Sequence, residues 1–232
     1  MAFSDQLLET GAPIWEAQQT HPFVRELAAG TLADEAFRAW VRQDYRYLLD
    51  YAGTFSIAGS KARDPDTRAH LLSVAHSILE DELELHRSFA EEYGLARADL
   101  EATEKAPTCV AYTNFLLRTA YEGSIAEIAA AIYPCGQGYL DIAAHMDDLA
   151  TEEHRYTPFI EKYTSDEFRD SVAWMRAFVD RCGERYPGER EAMERAFLTS
   201  AKLEYRFWEM AYQREDWGLS GATGGRNHVD SQ

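Results

Sequence analysis

Helical periodicity runs along almost the whole chain and leaves room for little but packed helices. Phe37, Trp40, Val41, Tyr45, Leu48, Leu49 and Ala52 recur at helical spacing, which lays side chains along one stripe of an α-helix. Alternating runs joined by hairpin turns, the mark of strands, are absent. Proline and glycine punctuate the chain sparsely, at positions that end or restart helices.

This punctuation sets the expected helices. One runs from Ser4, read as its cap, to Gln19, and His21-Pro22 breaks it. A short one reaches Ala29 and stops at Gly30. Thr31 to Asp34 opens a long third helix. Asp64-Pro65 starts a fourth that continues to Tyr93, with Gly94 as its stop. A short acidic helix spans Arg97 to Thr103. Cys109 to Glu122 and Ser124 to Ile132 read as one helix interrupted near Gly123, and Pro134 restarts a helix that runs to Leu149. Asp166 to Cys182 and Pro187 to Arg214 follow. The expectation is an all-α, single-domain helical bundle over 1–217, with roughly eight to ten helices, and a disordered tail over 218–232.

Charge removes whole classes of function. Acids number 40 and bases 23, for a net charge of −17, which repels phosphates and argues against nucleic acid as a partner. No apolar run approaches the ~20 residues of a membrane span; the best, Ile125 to Cys135, carries Glu127. The N-terminal Met1-Ala2-Phe3-Ser4-Asp5 lacks the basic and apolar regions of a signal peptide. With three cysteines and no Cys-x-x-Cys pair, reduced thiols in a cytoplasm are expected, without structural zinc. Only four bases are lysine, and the acids are spread along the chain. That balance suits a halophilic cytoplasm, where salt screens self-repulsion; an ordinary acidic surface is the alternative.

Several residues could carry chemistry. Cys135 follows Pro134, so on the expected boundaries it lies in the first turn of a helix, where free N–H groups favour a thiolate. Tyr139 shares its face. A buried, inert thiol is the other reading of Cys135, and the better one for Cys109 and Cys182. Asp44, Tyr47 and Tyr51 fall on one face of the third helix among apolar neighbours, so Asp44 needs a partner or a ligand; Arg46 points elsewhere. Glu204, Phe207 and Trp208 set another carboxylate among aromatics. Thirteen Tyr, 11 Phe and 5 Trp supply walls suited to a flat, nitrogenous ring. Di-iron bundles require Glu-x-x-His, and no histidine here has an acid three residues before it. Glu80 and Glu82 with His86, and Glu152-Glu153-His154, read as solvated acidic faces. His21, a conceivable haem ligand, reads as a cap for the turn after it.

The set His21-Pro22-Phe23-Val24, Gln43-Asp44-x-x-Tyr47-Leu48, Glu82-x-x-x-His86-Arg87, Tyr112-Thr113, Pro134-Cys135 with Tyr139, and Glu204-Tyr205-x-Phe207-Trp208-x-Met210-Ala211-Tyr212 resembles the thiaminase II (TenA) family. The likeness runs from about Phe3 to Trp217. It implies a haem-oxygenase-like fold without haem, a homotetramer, and hydrolysis of small-molecule aminopyrimidines for thiamin salvage, with some cleavage of thiamin. No metal or organic cofactor is required. The likeness makes Cys135 the nucleophile of the family's cysteine branch. It gives Asp44 a grip on the pyrimidine amino edge and Glu204 the proton transfer. Tyr47, Tyr112, Tyr139 and Tyr163 line the ring, and Phe207 joins them as a substrate-binding aromatic. Gly136, Gln137 and Gly138 stand where the family often has bulkier residues, so a wider pocket is expected. A non-catalytic pyrimidine- or thiamin-binding protein, and a metal-dependent oxygenase on the same fold, are the competing readings.

Overall fold

The computed structural model describes residues 1–150 and 152–218. Its helices are α1 (Phe3–Gln19), α2 (Pro22–Ala28), α3 (Asp34–Lys61), α4 (Pro65–Ser77), α5 (Leu83–Glu92), α6 (Arg97–Glu101), α7 (Pro107–Glu122), α8 (Ile125–Leu149), α9 (Thr157–Thr164), α10 (Asp166–Arg185) and α11 (Arg190–Gln213). A π-helical turn, Ile78–Glu82, joins α4 to α5, and a short 3₁₀ turn precedes α11. No strand occurs among the described residues. The tail expected from residue 218 lies, after Gly218, outside the described residues.

Local signals explain most helix ends. The Asp64 carboxylate accepts from the Thr67 N–H at 2.8 Å and Pro65 opens α4, a favourable start because proline has no N–H to waste. His21 caps α2 through Nδ1, which accepts from the Phe23 N–H at 3.1 Å. Ser124 and Glu127 form a reciprocal capping box at the start of α8. Gly30 and Gly94 follow α2 and α5 with φ of 69° and 72°, a conformation that costs glycine little.

α8 is the centre of the molecule. Residues 128–134 and 136–139 are all buried, so the helix is covered on every side, as expected of one that is apolar all round. α11 packs along it, α10 covers another flank, and α3 lies against α4, α7 and α11.

Five expectations about helix boundaries need correction. Pro134 does not restart a helix; it sits inside α8, which is continuous from Ile125 to Leu149. Proline removes one i−4 hydrogen bond, and burial of the whole segment offsets that loss. The break near Gly123 is a true end, since Ser124 caps a new helix. The helix expected unbroken from Asp64 to Tyr93 changes hand-over at the π turn, where the Leu83 N–H reaches back to the Ile78 carbonyl. Ser4 is not a cap but a buried residue of α1; its N–H and hydroxyl both bond the Asp180 carboxylate, at 2.7 and 3.0 Å. α9 lies where the periodicity assigns no helix, because a short segment of this kind shows little period.

Candidate active site

A cavity of about 110 Å³ opens between α3, the π turn, α8, α9 and α10. Asp44, Tyr47 and Tyr51 reach it from α3, Cys135, Gly136 and Tyr139 from α8, and Tyr163 from α9. The face read on the third helix therefore does meet Cys135. Glu204, Tyr112 and Phe207 sit one layer deeper. Glu204 is 2 % exposed, and Tyr112 and Phe207 stand behind Tyr47 at ring distances of 4.9 and 5.6 Å.

Cys135 lies mid-helix, so the free N–H groups of a helix start are not there to favour its thiolate. Its environment does the opposite. Burial, and then the charge of Glu204, push the thiol well above its ordinary range, while the Tyr47 hydroxyl pulls the other way. That hydroxyl has no hydrogen-bond partner by strict geometry, which leaves it free to turn toward sulfur. The side chain is half-buried and opens onto the cavity. Cys109 and Cys182 differ: both are buried, and burial pushes each thiol up to about 12.

Glu204 stands near Cys135, close enough for each to feel the other electrostatically, and its carboxyl accepts from the Tyr112 hydroxyl at 2.6 Å. Ser200 stands 2.9 Å behind Tyr112, and since the Tyr112 proton is spent on Glu204, Ser200 donates to Tyr112. Burial pushes the Glu204 carboxyl up to about 8, opposed by the Tyr112 bond and helped by the charge of Asp44. Near neutral pH both groups therefore hold their protons, and the carboxyl is the first of the two to ionise as pH rises.

Asp44, 4 % exposed, has a partner that the sequence did not disclose. Its Oδ2 lies 2.6 Å from His86 Nε2, and His86 Nδ1 lies 2.9 Å from the Glu82 carbonyl oxygen. His86 is wholly buried and Glu82 lines the cavity, so neither belongs to a solvated acidic face. Glu152 and Glu153 are exposed, as that reading expects. Tyr139 accepts from Trp40 Nε1 at 3.0 Å and packs on Tyr163 at 4.8 Å. Tyr51 donates to the Ile132 carbonyl at 2.9 Å. The glycines after Cys135 do not widen the space: a Cβ on Gly136 would meet the Met175 sulfur at 2.8 Å. Gln137 turns away to Tyr133 and Asp141. Asp81, Glu82, Glu167 and Lys162 ring the outer wall. Among the described residues no group of three or more His, Cys, Asp or Glu side chains is placed to hold a metal ion, and no helix is long and apolar enough to cross a membrane.

The family model described as TENA/THI-4/PQQC matches residues 9–214. The chain belongs to this family. Among its relatives in the TENA/THI-4/PQQC family is the aminopyrimidine aminohydrolase of Halalkalibacterium halodurans, 35% identical over 224 residues, 95% of this chain and 100% of the relative. The aminopyrimidine aminohydrolase of Bacillus subtilis strain 168 is 33% identical over 221 residues, 95% of this chain and 94% of the relative. A solved TenA homologue from P. horikoshii OT3 superposes with a TM-score of 0.86 at 31% identity, covering 92% of this chain and 99% of the other. A Shewanella denitrificans domain described as having a heme oxygenase-like fold gives a TM-score of 0.72 at 14% identity, covering 98% of each chain. At that identity the likeness concerns the fold, which is the one expected.

Burial of Glu204 has a thermodynamic consequence. In the unfolded chain its proton leaves near the ordinary 4.5, in the folded protein near 8. The folded state therefore binds the extra proton between those values, and its stability falls as pH rises through that window. Glu204→Gln removes the buried carboxylate. The variant is expected to melt higher than the parent at pH 8.5, by about 2 kcal/mol or roughly 5 °C, with a smaller gain at pH 5. Thermal unfolding at the two pH values checks this; an equal or opposite difference would contradict it.

Proposed function

We propose that the protein is a cysteine-dependent aminopyrimidine aminohydrolase, a thiaminase II acting in thiamin salvage. It hydrolyses 4-amino-5-aminomethyl-2-methylpyrimidine and related compounds to the hydroxymethylpyrimidine. The observation that carries this reading is a tyrosine-walled cavity that brings Cys135 and Asp44 together, with Glu204 buried behind it. The names of the relatives in the same family agree with it.

The chemistry follows from the site. Glu204, in the ionised form that gains population as pH rises toward 8, takes the thiol proton while Cys135 Sγ bonds a pyrimidine ring carbon beside the one bearing the CH₂ group. The ring loses aromaticity, and its electron pair expels the amine, which leaves with the proton from Glu204. Water then adds to the exocyclic methylene and gives its proton to Glu204. The C–S bond breaks, aromaticity returns, and the thiolate recovers that proton. One C–N bond becomes one C–O bond, and ammonia leaves. Asp44 accepts from the exocyclic amino group, and Tyr47, Tyr51, Tyr139 and Tyr163 hold the ring's plane and edge. Tyr112 keeps Glu204 aimed at sulfur.

Further features belong to the same reading. Family likeness supports a homotetramer, the three free thiols support a cytoplasmic setting, and the charge of −17 with four lysines supports a salt-adapted surface. If so, melting temperature and tetramer fraction rise from about 0.1 M to molar salt as the Debye length shrinks from about 10 to about 3 Å; flat values in thermal unfolding and size-exclusion runs would refute the salt adaptation alone.

Cys135→Ser is expected to lose ammonia release while keeping pyrimidine affinity, since only the nucleophile is weakened. Retention of most turnover would remove Cys135 from the mechanism and favour a non-catalytic binder or another nucleophile. Asp44→Asn is expected to weaken binding by at least about tenfold, because a donor replaces one acceptor facing the amino group. Calorimetry with the hydroxymethylpyrimidine measures both; unchanged affinity in the Asp44 variant would count against its role.

A further inference from the structure

His86 has no role in the reaction as written, yet it is the one partner that Asp44 possesses within hydrogen-bond distance among the described residues. Its two ring nitrogens both face oxygen acceptors. The Glu82 carbonyl cannot donate, so Nδ1 must carry a proton. A single proton then lies in the 2.6 Å contact between Nε2 and Asp44 Oδ2. With Asp44 ionised that proton rests on His86, and the ring is an imidazolium. Trp40 lies over it at 5.2 Å and Phe89 meets its edge at 6.3 Å, so the ring cannot swing away.

We propose that His86 is a positioning residue for the substrate: a buried imidazolium, anchored by the π-turn carbonyl, that pins Asp44 Oδ2 and leaves Oδ1 to accept from the aminopyrimidine. The ligand named here rests on the aminohydrolase reading; the proton arrangement does not.

Charge agrees with the geometry. Burial alone would drive His86 toward the neutral form, but the Asp44 bond, the Asp44 charge and then Glu82 outweigh it and raise its proton affinity. The charged groups around the ring are Asp44 from α3, Glu82 from the π turn and, beyond Glu82, Lys162 from α9. The imidazolium also lowers the proton affinity of Glu82, which burial raises. Without His86, Asp44 would have both oxygens unanchored, and its carboxylate plane would be free to rotate about the side chain.

The test uses the full-length protein. Long-range ¹H–¹⁵N NMR on imidazole-labelled protein, with His86 assigned by its loss in His86→Gln, is expected to show both ring nitrogens protonated at pH 7.5. In Asp44→Asn the same ring is expected to turn neutral, with the proton kept on Nδ1. In steady-state assays His86→Gln is expected to raise KM about tenfold while kcat changes less, the size typical of a lost outer partner. His86→Leu, with no donor, is expected to weaken hydroxymethylpyrimidine binding further. A neutral His86 in the parent protein, or variants with unaltered affinity and KM, would overturn the positioning role. Should His86→Gln fail to fold, loss of the signal in His86→Leu or its change in Asp44→Asn supplies the assignment, and the ring signals of the parent protein decide the proton arrangement. A parent protein that binds no aminopyrimidine would instead overturn the functional reading, and with it the ligand named here.

Discussion

The middle of α8, residues 128–139 apart from the half-buried Cys135, is buried, and the rest of the molecule is arranged around it. A helix buried on every side must be surrounded by other helices, and α3, α10 and α11 supply the surround. Within such a sleeve a proline can be tolerated mid-helix, because packing along many residues outweighs one lost hydrogen bond. The same burial makes Cys135 reluctant to ionise and Glu204 reluctant to release its proton. Burial, not a helix dipole, thus sets the proton affinity of both groups.

Burial alone would trap an inert thiol, as it does at Cys109 and Cys182. What distinguishes Cys135 is company. A carboxyl of raised proton affinity stands near it, and so does the Tyr47 hydroxyl, which opposes the rise in its proton affinity. Low dielectric strengthens each of these interactions. A ligand that displaces the remaining water and presents an amino group to Asp44 would complete the electrostatics of the cavity.

How much of this could be read from the chain depends on distance along it. Asp44, Tyr47 and Tyr51 share one helix face, so their convergence follows from the helical period. The all-α class followed from the same period. Cys135 and Glu204 were both singled out, but their proximity joins α8 to α11, and no local pattern encodes a pairing between helices. Cys135 was placed in a first turn because proline is read locally as a helix start, whereas tertiary burial carries α8 through Pro134. His86 was taken for part of a solvated face because Glu80, Asp81 and Glu84 surround it in sequence. Nothing in the residues Ile78–Glu82 announces a π turn, and that turn decides which of those neighbours point inward.

The π turn also acts as a phase shift. Each α-helical residue advances the side-chain direction by about 100°, and a π turn accommodates one residue more than the helix would. Were the same residues to wind as regular α-helix with none removed, every side chain after the turn would be rotated by about that angle. His86 would swing off Asp44, and Phe89, buried against Phe37, would turn from its place in the core. The hydrophobic face of α5 and the alignment of the Asp44 carboxylate are therefore held in phase by the π turn, and straightening it would disturb both together.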